Sequence, residues 1–454
     1  MQRILLTLLL LVLISSTGYA QQAQEITLQE AIQIALDNNF ALKQAENSLQ
    51  QAENTVLSEK ADFLPSFNSS LSGSITNGQQ FIPDIFQFGN FTSKGVSGRI
   101  GASYDVFSGF NRIYTLRQSE ASKLSSEESL KRQREDIIFN TTRNFLQVLL
   151  DIQQLENAQQ NLETSNNLLD QTKAQVEVGT LPIVDQYNQE STVATNELTV
   201  TQRENALALS KLILVRQLQI DPLKDYEFTV DNLNTDDADL TVLNLNLNEL
   251  VDIALDNRSD LKSQEHNVKS QEYQMKVAKW AQLPTLSISG SVNTSYSDQS
   301  RDPVTRELVP FNDQFFDRQI RKSAGFTLNI PLFSNLQRRT SFLNSKIAYK
   351  NAELGLQDVR LNIIQQVTQE YNQYLNFAKE LESNRAALVA AEKAFESEQE
   401  RYNVGASTFV QLNNAQNQFQ TAQSNYTSTV YRFIFQTKVL DYFLGRLDPN
   451  ITLE

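Results

Sequence analysis

The sequence predicts a mainly α-helical chain carrying membrane β-strands, built from a tandem-duplicated helix-strand-strand-helix-helix unit. Three observations predict it. Leu28–Pro65 aligns without a gap on Leu247–Pro284 at a register of 219 residues, and Phe107 to Gly179 matches Phe333 to Gly405 at a register of 226. Short stretches of period-two alternation interrupt the helical patterning once in each copy. Long heptad stripes follow each of them. Duplication suits an architecture in which each unit supplies only part of a closed wall.

The first twenty residues read as a secretory signal: Arg3 precedes the apolar run Ile4–Ile14, and Ser15-Ser16-Thr17-Gly18-Tyr19-Ala20 ends on small residues. The run is shorter than the roughly 20 residues a spanning helix needs. The net charge is −14 for the full sequence, and becomes −15 once Arg3 leaves with the signal. Such acidity argues against nucleic acid as a partner. Mean hydropathy is −0.38, and no later run is apolar enough to cross a bilayer as a helix.

The absence of cysteine excludes disulfides, thiol catalysis, thiolate metal sites and cysteine lipidation. The single histidine, His266, occupies the slot of Asn47 in the other copy and reads as a solvated polar residue, not a base. No phosphate loop, nucleophile–base set or metal-ligand cluster is present. The expectation is therefore a non-enzyme without cofactor or metal.

The first repeat spans 21–227 and the second 247–454, joined by a linker at 228–246. Each opens with a helix, the first from about Leu28 to Phe63, with Leu28, Ile32, Ala35, Leu36, Leu42, Ala45 and Leu49 at helical spacing and Pro65 as the stop. Strands are expected at about 66–77 and 97–107 in the first copy and 285–297 and 323–333 in the second. Leu286, Ile288, Gly290 and Val292 alternate there with Ser287, Ser289, Ser291 and Asn293. One apolar and one small-polar face is what a transmembrane β-barrel presents to lipid and to a wet lumen. An ordinary half-buried sheet would show the same alternation.

Closed barrels start at about eight strands, and this chain offers four. An open sheet would expose unpaired edges to lipid, so several chains must pool their strands, and three would give twelve. The intervening segments Asn77–Lys94 and Asp298–Lys322 read as long extracellular loops, rich in phenylalanine and partly folded over the barrel mouth.

The next helices, about Asn111–Val178 and Leu336–Val404, would reach ~100 Å at ~1.5 Å per residue. Val148, Leu155, Leu162, Leu169 and Val176 are spaced by seven, and Tyr374, Leu381, Leu388, Phe395 and Tyr402 continue the phase in the second copy. The returning helices carry stripes of their own, Val193 to Leu214 and Leu412 to Leu440. A coiled coil between each long helix and its return partner is expected.

The turns, 178–182 and 404–408, place Val178-Gly179-Thr180-Leu181 and Val404-Gly405-Ala406-Ser407 at the tips. Glycine there ends the helix, and the shared Val-Gly pair makes the tips candidates for a docking surface. The linker is rich in Asp and Asn (Asp231, Asp236, Asp237, Asp239) in a spacing that fits no calcium loop, and reads as a peripheral belt.

Taken in order, the signal, the duplicated LQEAIQIALDNN and LNELVDIALDNR helices ending in LP, the paired strands and the VG tips resemble the TolC family of outer membrane efflux proteins, over essentially the whole mature chain. The resemblance implies a homotrimer in outer membrane lipid, with a 12-stranded β-barrel continuous with a 12-helix α-barrel in the periplasm. It also implies a periplasmic adaptor (membrane fusion) protein and an inner-membrane pump as partners, in a tripartite efflux or type I secretion system. The alternatives are an outlet dedicated to metal-ion or protein export, or a soluble periplasmic coiled-coil interaction protein. Asp185 and Tyr402 match positions that tie the family's tip closed. The basic partner of that latch falls at Ser407, which cannot form the ion pair. The family's acidic entrance rings fall at Gln411 and Asn414, which implies a polar, uncharged mouth.

Overall fold

The computed structural model describes residues 24–82, 86–229 and 245–447. The expected signal segment and most of the Asp-rich linker, with its four carboxylates, lie outside the described residues. In chain order the elements are β1 (Gln24–Ile26), α1 (Leu28–Asn38), α2 (Phe40–Ala61), β2 (Ser66–Ile82), β3 (Gln87–Phe107), α3 (Asn111–Glu177), α4 (Ile183–Leu218) and β4 (Tyr226–Phe228). The second half continues with α5 (Leu247–Asn257), α6 (Ser259–Trp280), β5 (Thr285–Ser297), α7 (Phe311–Asp313), a π-helical turn Gln314–Arg318, β6 (Arg321–Asn329), α8 (Gln337–Asn403) and α9 (Phe409–Phe443). Among the described residues no helix is long and apolar enough to cross a membrane.

Two compact units divide the chain. Of the described residues, one comprises 24–45, 129–229, 245–259 and 360–447, the other 46–82, 86–128 and 260–359.

The first unit is a helical bundle. One core cluster joins Ile32 and Ala35 of α1, Ile138, Phe145 and Val148 of α3, and Leu214 and Leu218 of α4. The strands β1 and β4 pair in parallel, and Phe145 meets Phe228 edge-on at 5.9 Å. The expected single opening helix is two helices in each copy. Asn39 stands in extended conformation between α1 and α2, and its Oδ1 accepts from the backbone N–H of Ala41 and Leu42, at 2.9 and 3.2 Å. A side chain that caps the next helix interrupts the previous one without disturbing the apolar spacing, which is why periodicity alone missed the break. Arg258 occupies the matching position between α5 and α6 with the same extended backbone.

The heptad stripes are buried or half-buried along their length: Tyr374 stacks on Phe433 at 5.5 Å and Phe395 on Phe419 at 5.7 Å, both between α8 and α9. The pairing is wider than one long helix with its own return. Gln154 of α3 donates to the Ser424 carbonyl of α9 at 3.0 Å, and Asn157 to the Thr427 hydroxyl at 3.1 Å, so the last helix also packs on the long helix of the other copy.

The second unit holds an antiparallel sheet in the order β2-β3-β5-β6. Two of its boundaries differ from the sequence expectation. Asn77–Lys94 is not a long loop: β2 and β3 stay paired from Ser66↔Ser103 out to Ile82↔Gln87, and Phe81 packs on Phe88 at 5.4 Å. A mix of Gly, Asn, Gln and Phe does not distinguish a loop from an extended hairpin; ladder hydrogen bonds and the aromatic cross-strand pair hold it. β6 runs Arg321–Asn329 instead of reaching 333, because Pro331 has no N–H to give the ladder.

Candidate functional site

The sheet sorts its residues by chemistry with each half-turn of the strand. Register places Tyr104 opposite Ile288 and Ile288 opposite Phe326, while Leu286 faces Leu328. The same face carries Phe67, Leu71 and Ile75, exposed by 78, 74 and 72%. Soluble monomers rarely leave a row of large apolar side chains this exposed, and such a face marks a partner or a membrane. The opposite face is small and hydroxylated. Ser72 pairs with Ser97 at 2.7 Å, Ser66 with Ser103 at 2.7 Å and Ser291 with Ser323 at 3.0 Å. β2 and β6 form the two edges of the sheet.

The segment from 298 to 320 packs against the sheet itself, correcting the expectation that it folds over a barrel mouth. Phe315 lies above Gly98 on the face that bears Leu71 and Thr294, and Phe311 meets Tyr296 at 5.0 Å and stacks on Phe315 at 5.0 Å. Asp302 organises the rest of the loop. Its carboxylate accepts from the N–H groups of Val304 and Thr305 and from Arg318 Nη1 at 2.7 Å. Arg318 first, and then those backbone N–H groups, hold the Asp302 pKa down to about 2.

Both helical tips are built alike. Gly179 and Gly405 take φ of +79° and +75°. Thr180 N–H bonds back to Gln175 O and Gly179 N–H to Val176 O, while Ala406 N–H bonds to Arg401 O and Gly405 N–H to Tyr402 O. These are Schellman closures, and the left-handed residue they require is why glycine stands there. Val178 and Val404 project outward, 75 and 80% exposed. Leu181 does not: it packs against a cluster of Leu168, Phe395, Tyr402, Phe409 and Leu412. Thr180 donates its hydroxyl to Gln175 O at 2.8 Å, and Ala406 is exposed.

The residues matched to the latch are brought near one another without being tied. Tyr402 is buried, 2% exposed, and its hydroxyl has no hydrogen-bond partner of ordinary geometry among the described residues. Burial pushes the phenol pKa up, the Thr172 hydroxyl opposes this, and the Asp185 carboxylate adds to the rise. Ser407 donates to a Glu398 carboxylate oxygen, and the other oxygen meets Arg401 Nη1 at 2.6 Å. The basic residue at this tip is therefore Arg401, which also donates to Ala406 O at 3.2 Å. Gln411 is exposed, but its side-chain oxygen caps α9 through Thr408 N–H at 3.1 Å; Asn414 is exposed and uncharged.

Sequence reasoning missed a buried polar layer beneath the first tip. Ser165, Gln189, Asn196 and Gln416 are all buried. Gln189 donates to Ser165 O at 2.9 Å, while Asn196 and Gln416 donate to Ser165 Oγ at 2.6 and 3.0 Å. Ala158, Ser165 and Thr172 are spaced by seven, as are Gln189 and Asn196. That second heptad stripe, small and polar beside the apolar one, was the available signal.

A model of the outer membrane efflux protein family matches residues 31–218 and 250–432, covering both copies. The chain belongs to the outer membrane efflux protein family. Among curated relatives, this family member is 21% identical over 444 residues to the outer membrane protein TolC of Salmonella enteritidis, covering 97% of this chain and 86% of the relative. It is also 21% identical over 451 residues to TolC of Escherichia coli strain K12, covering the same shares. Among solved structures it superposes on CusC with a TM-score of 0.79 at 16% identity, over 94% of this chain and 95% of that one. It superposes on the Campylobacter jejuni CmeC outer membrane channel with a TM-score of 0.78 at 16% identity, over 94% and 87%. As a member of this family, which is one of outer-membrane channel proteins, the protein is an outer-membrane exit channel for efflux.

Proposed function

We propose that three copies of the chain pool their four-stranded sheets into one 12-stranded barrel, and their long helices into a 12-helix periplasmic conduit. In this reading the assembly is the passive outlet of a tripartite system whose energy comes from an inner-membrane pump. The observation that carries the reading is the sheet: it has two unpaired edges, an uncovered apolar face and a hydroxyl-lined opposite face. In hydrocarbon each unpaired backbone group costs several kcal/mol, of order 5, so the edges must close on sheets of other copies. Alternating faces then supply a lipid side and a water side.

The tips are proposed to receive the periplasmic adaptor. Val178, Gly179, Thr180, Val404, Gly405 and Ala406 are exposed there, and the two glycines permit close backbone approach by another helical hairpin. Leu181, packed into the cluster that joins the two hairpins, and Ser407, bound to Glu398 of its own hairpin, contribute less. Asp185, Gln411 and Asn414 are proposed to line the entrance, with Tyr402 buried behind them and a mouth free of acidic rings at the last two.

Outer-membrane fractionation followed by unheated gel electrophoresis tests the assembly, which predicts a heat-modifiable trimer. A periplasmic coiled-coil protein would be found soluble. Topology is tested with Val304→Cys, 90% exposed on the loop between β5 and β6. An impermeant thiol reagent should label it on intact cells and fail to label Gly405→Cys; the opposite pattern overturns the orientation.

A further inference from the structure

The polar face of the sheet is almost free of charge, with one exception. Arg99 of β3 pairs with Asn293 of β5, and Asn293 pairs with Arg321 of β6. Ser70 of β2 faces Arg99 on the other side. One row crossing all four strands therefore reads Ser70, Arg99, Asn293, Arg321. Residues two apart share a face, and the hydroxyl pairs Ser72–Ser97 and Ser291–Ser323 fix that face as the polar one. Both arginines are exposed. The remaining charge with this parity is Asp105, which Arg112 neutralises at 3.1 Å.

One strand, β5, lies between the two arginines, and two interstrand spacings of ~4.8 Å put their backbones about 10 Å apart. Like charges at that range repel, and no carboxylate in the row offsets them. The row also runs against the chain's own balance of −14. Its flanking residues on the same face are Ser97, Gly101 and Ser323, small enough to leave both long side chains free to reach into water.

We propose that Arg99 and Arg321 form a basic collar in the lumen that gives the outer-membrane segment a preference for anionic solutes. The proposal rests on the duct reading above, because threefold closure turns two guanidinium groups into six at one level. A guanidinium stays charged at any working pH and binds carboxylate and phosphate oxygens in a fork. Low-dielectric walls focus such a field, and salt screens it over a Debye length of about 10 Å at 0.1 M. The solutes favoured are those bearing carboxylates or phosphates.

The test uses full-length protein in planar bilayers, with tripolyphosphate added on the loop side and the reversal potential read in a KCl gradient. In the wild type, tripolyphosphate should reduce the current at 0.1 M KCl and lose this effect at 1 M. In R99Q/R321Q it should need at least tenfold more tripolyphosphate, and the reversal potential should move toward that of potassium. R99K/R321K keeps the charge and should resemble the wild type, while R99Q and R321Q alone should each fall between. A conducting R99Q/R321Q, or conducting single variants, with wild-type block and reversal potential overturns the collar alone. A wild type that neither trimerises nor conducts overturns the duct reading and the collar with it.

Discussion

The Gln416 amide donates to the Ser165 hydroxyl at 3.0 Å, linking α9 to α3 across 251 residues of sequence. Asn196 of α4 donates to the same oxygen, so one hydroxyl joins three helices. The layer is imperfect, because Gln189 Oε1 and Gln416 Oε1 are buried without partners. A polar layer in a coiled coil fixes register at a cost in stability. Ser165→Ala strands two buried donors and should destabilise the bundle by about 1–3 kcal/mol for each. Replacing the set together, S165A/Q189L/N196L/Q416L, should raise the thermal midpoint above that of S165A. Circular dichroism melts of the four-fold, single and parent proteins check this, and a Ser165→Ala melt equal to the parent's would sink it.

Most of the architecture was legible in the sequence because it is written in periods. Seven-residue spacing from Val148 to Val176 and two-residue spacing from Leu286 to Val292 each depend on one geometric repeat. What escaped was set by single side chains or by environment. Asn39 breaks the opening helix by capping the next one. Polar residues from Asn77 to Gln80 look alike in a loop and in an extended hairpin. Arg401 brings a basic group to the second tip, where Ser407 has none, through an i, i+3 bond to Glu398 that spacing allowed but did not require. The Ser165 layer lay in a second stripe whose small polar residues mimic a solvated face until three helices close on it.

The two faces of the sheet should respond oppositely to charge. Ile288 lies in the apolar row with Tyr104 and Phe326, whereas Ser289 faces Ser103 and Gly325 on the polar side. Ile288→Arg should cost roughly 2–4 kcal/mol if the row lies near mid-membrane, and should lower the yield of assembled trimer. Ser289→Arg should assemble normally. Trimer abundance in outer-membrane fractions is the readout, and equal yields from the two variants would reverse or cancel the assignment of faces.

The loop held by Asp302 should resist acid. A free aspartate protonates near pH ~3.9, but this one has its pKa lowered to about 2 by Arg318 and two backbone N–H groups. A depressed carboxylate pKa means the stabilisation is fully present above pH ~3.9 and is lost as pH falls through about 2. A spin label at Val304 should therefore keep its mobility between pH 7 and pH 4 and gain mobility only as pH approaches 2. Asp302→Asn should be mobile throughout. A mobility change centred near pH 4 in the parent would show that the ion pair does not order the loop.

The tips allow capping and docking to be told apart. At Gly179 and Gly405 the positive φ strains any residue with a Cβ, by roughly 1–2 kcal/mol. Beyond that, nothing lies within 4 Å of the position such a Cβ would occupy. Alanine and tryptophan therefore carry the same conformational cost, and within the chain neither meets a neighbour. G179A/G405A and G179W/G405W should show equal trimer yield and equal melting behaviour. If the glycines only close helices, export by the two variants should also be equal. If another helical hairpin seats against these turns, tryptophan fills the space its backbone needs, so export and adaptor crosslinking should fail with tryptophan and largely survive with alanine. Export assays and crosslinking on cells matched for trimer abundance decide between the two, and full export with tryptophan at both tips removes the docking surface from consideration.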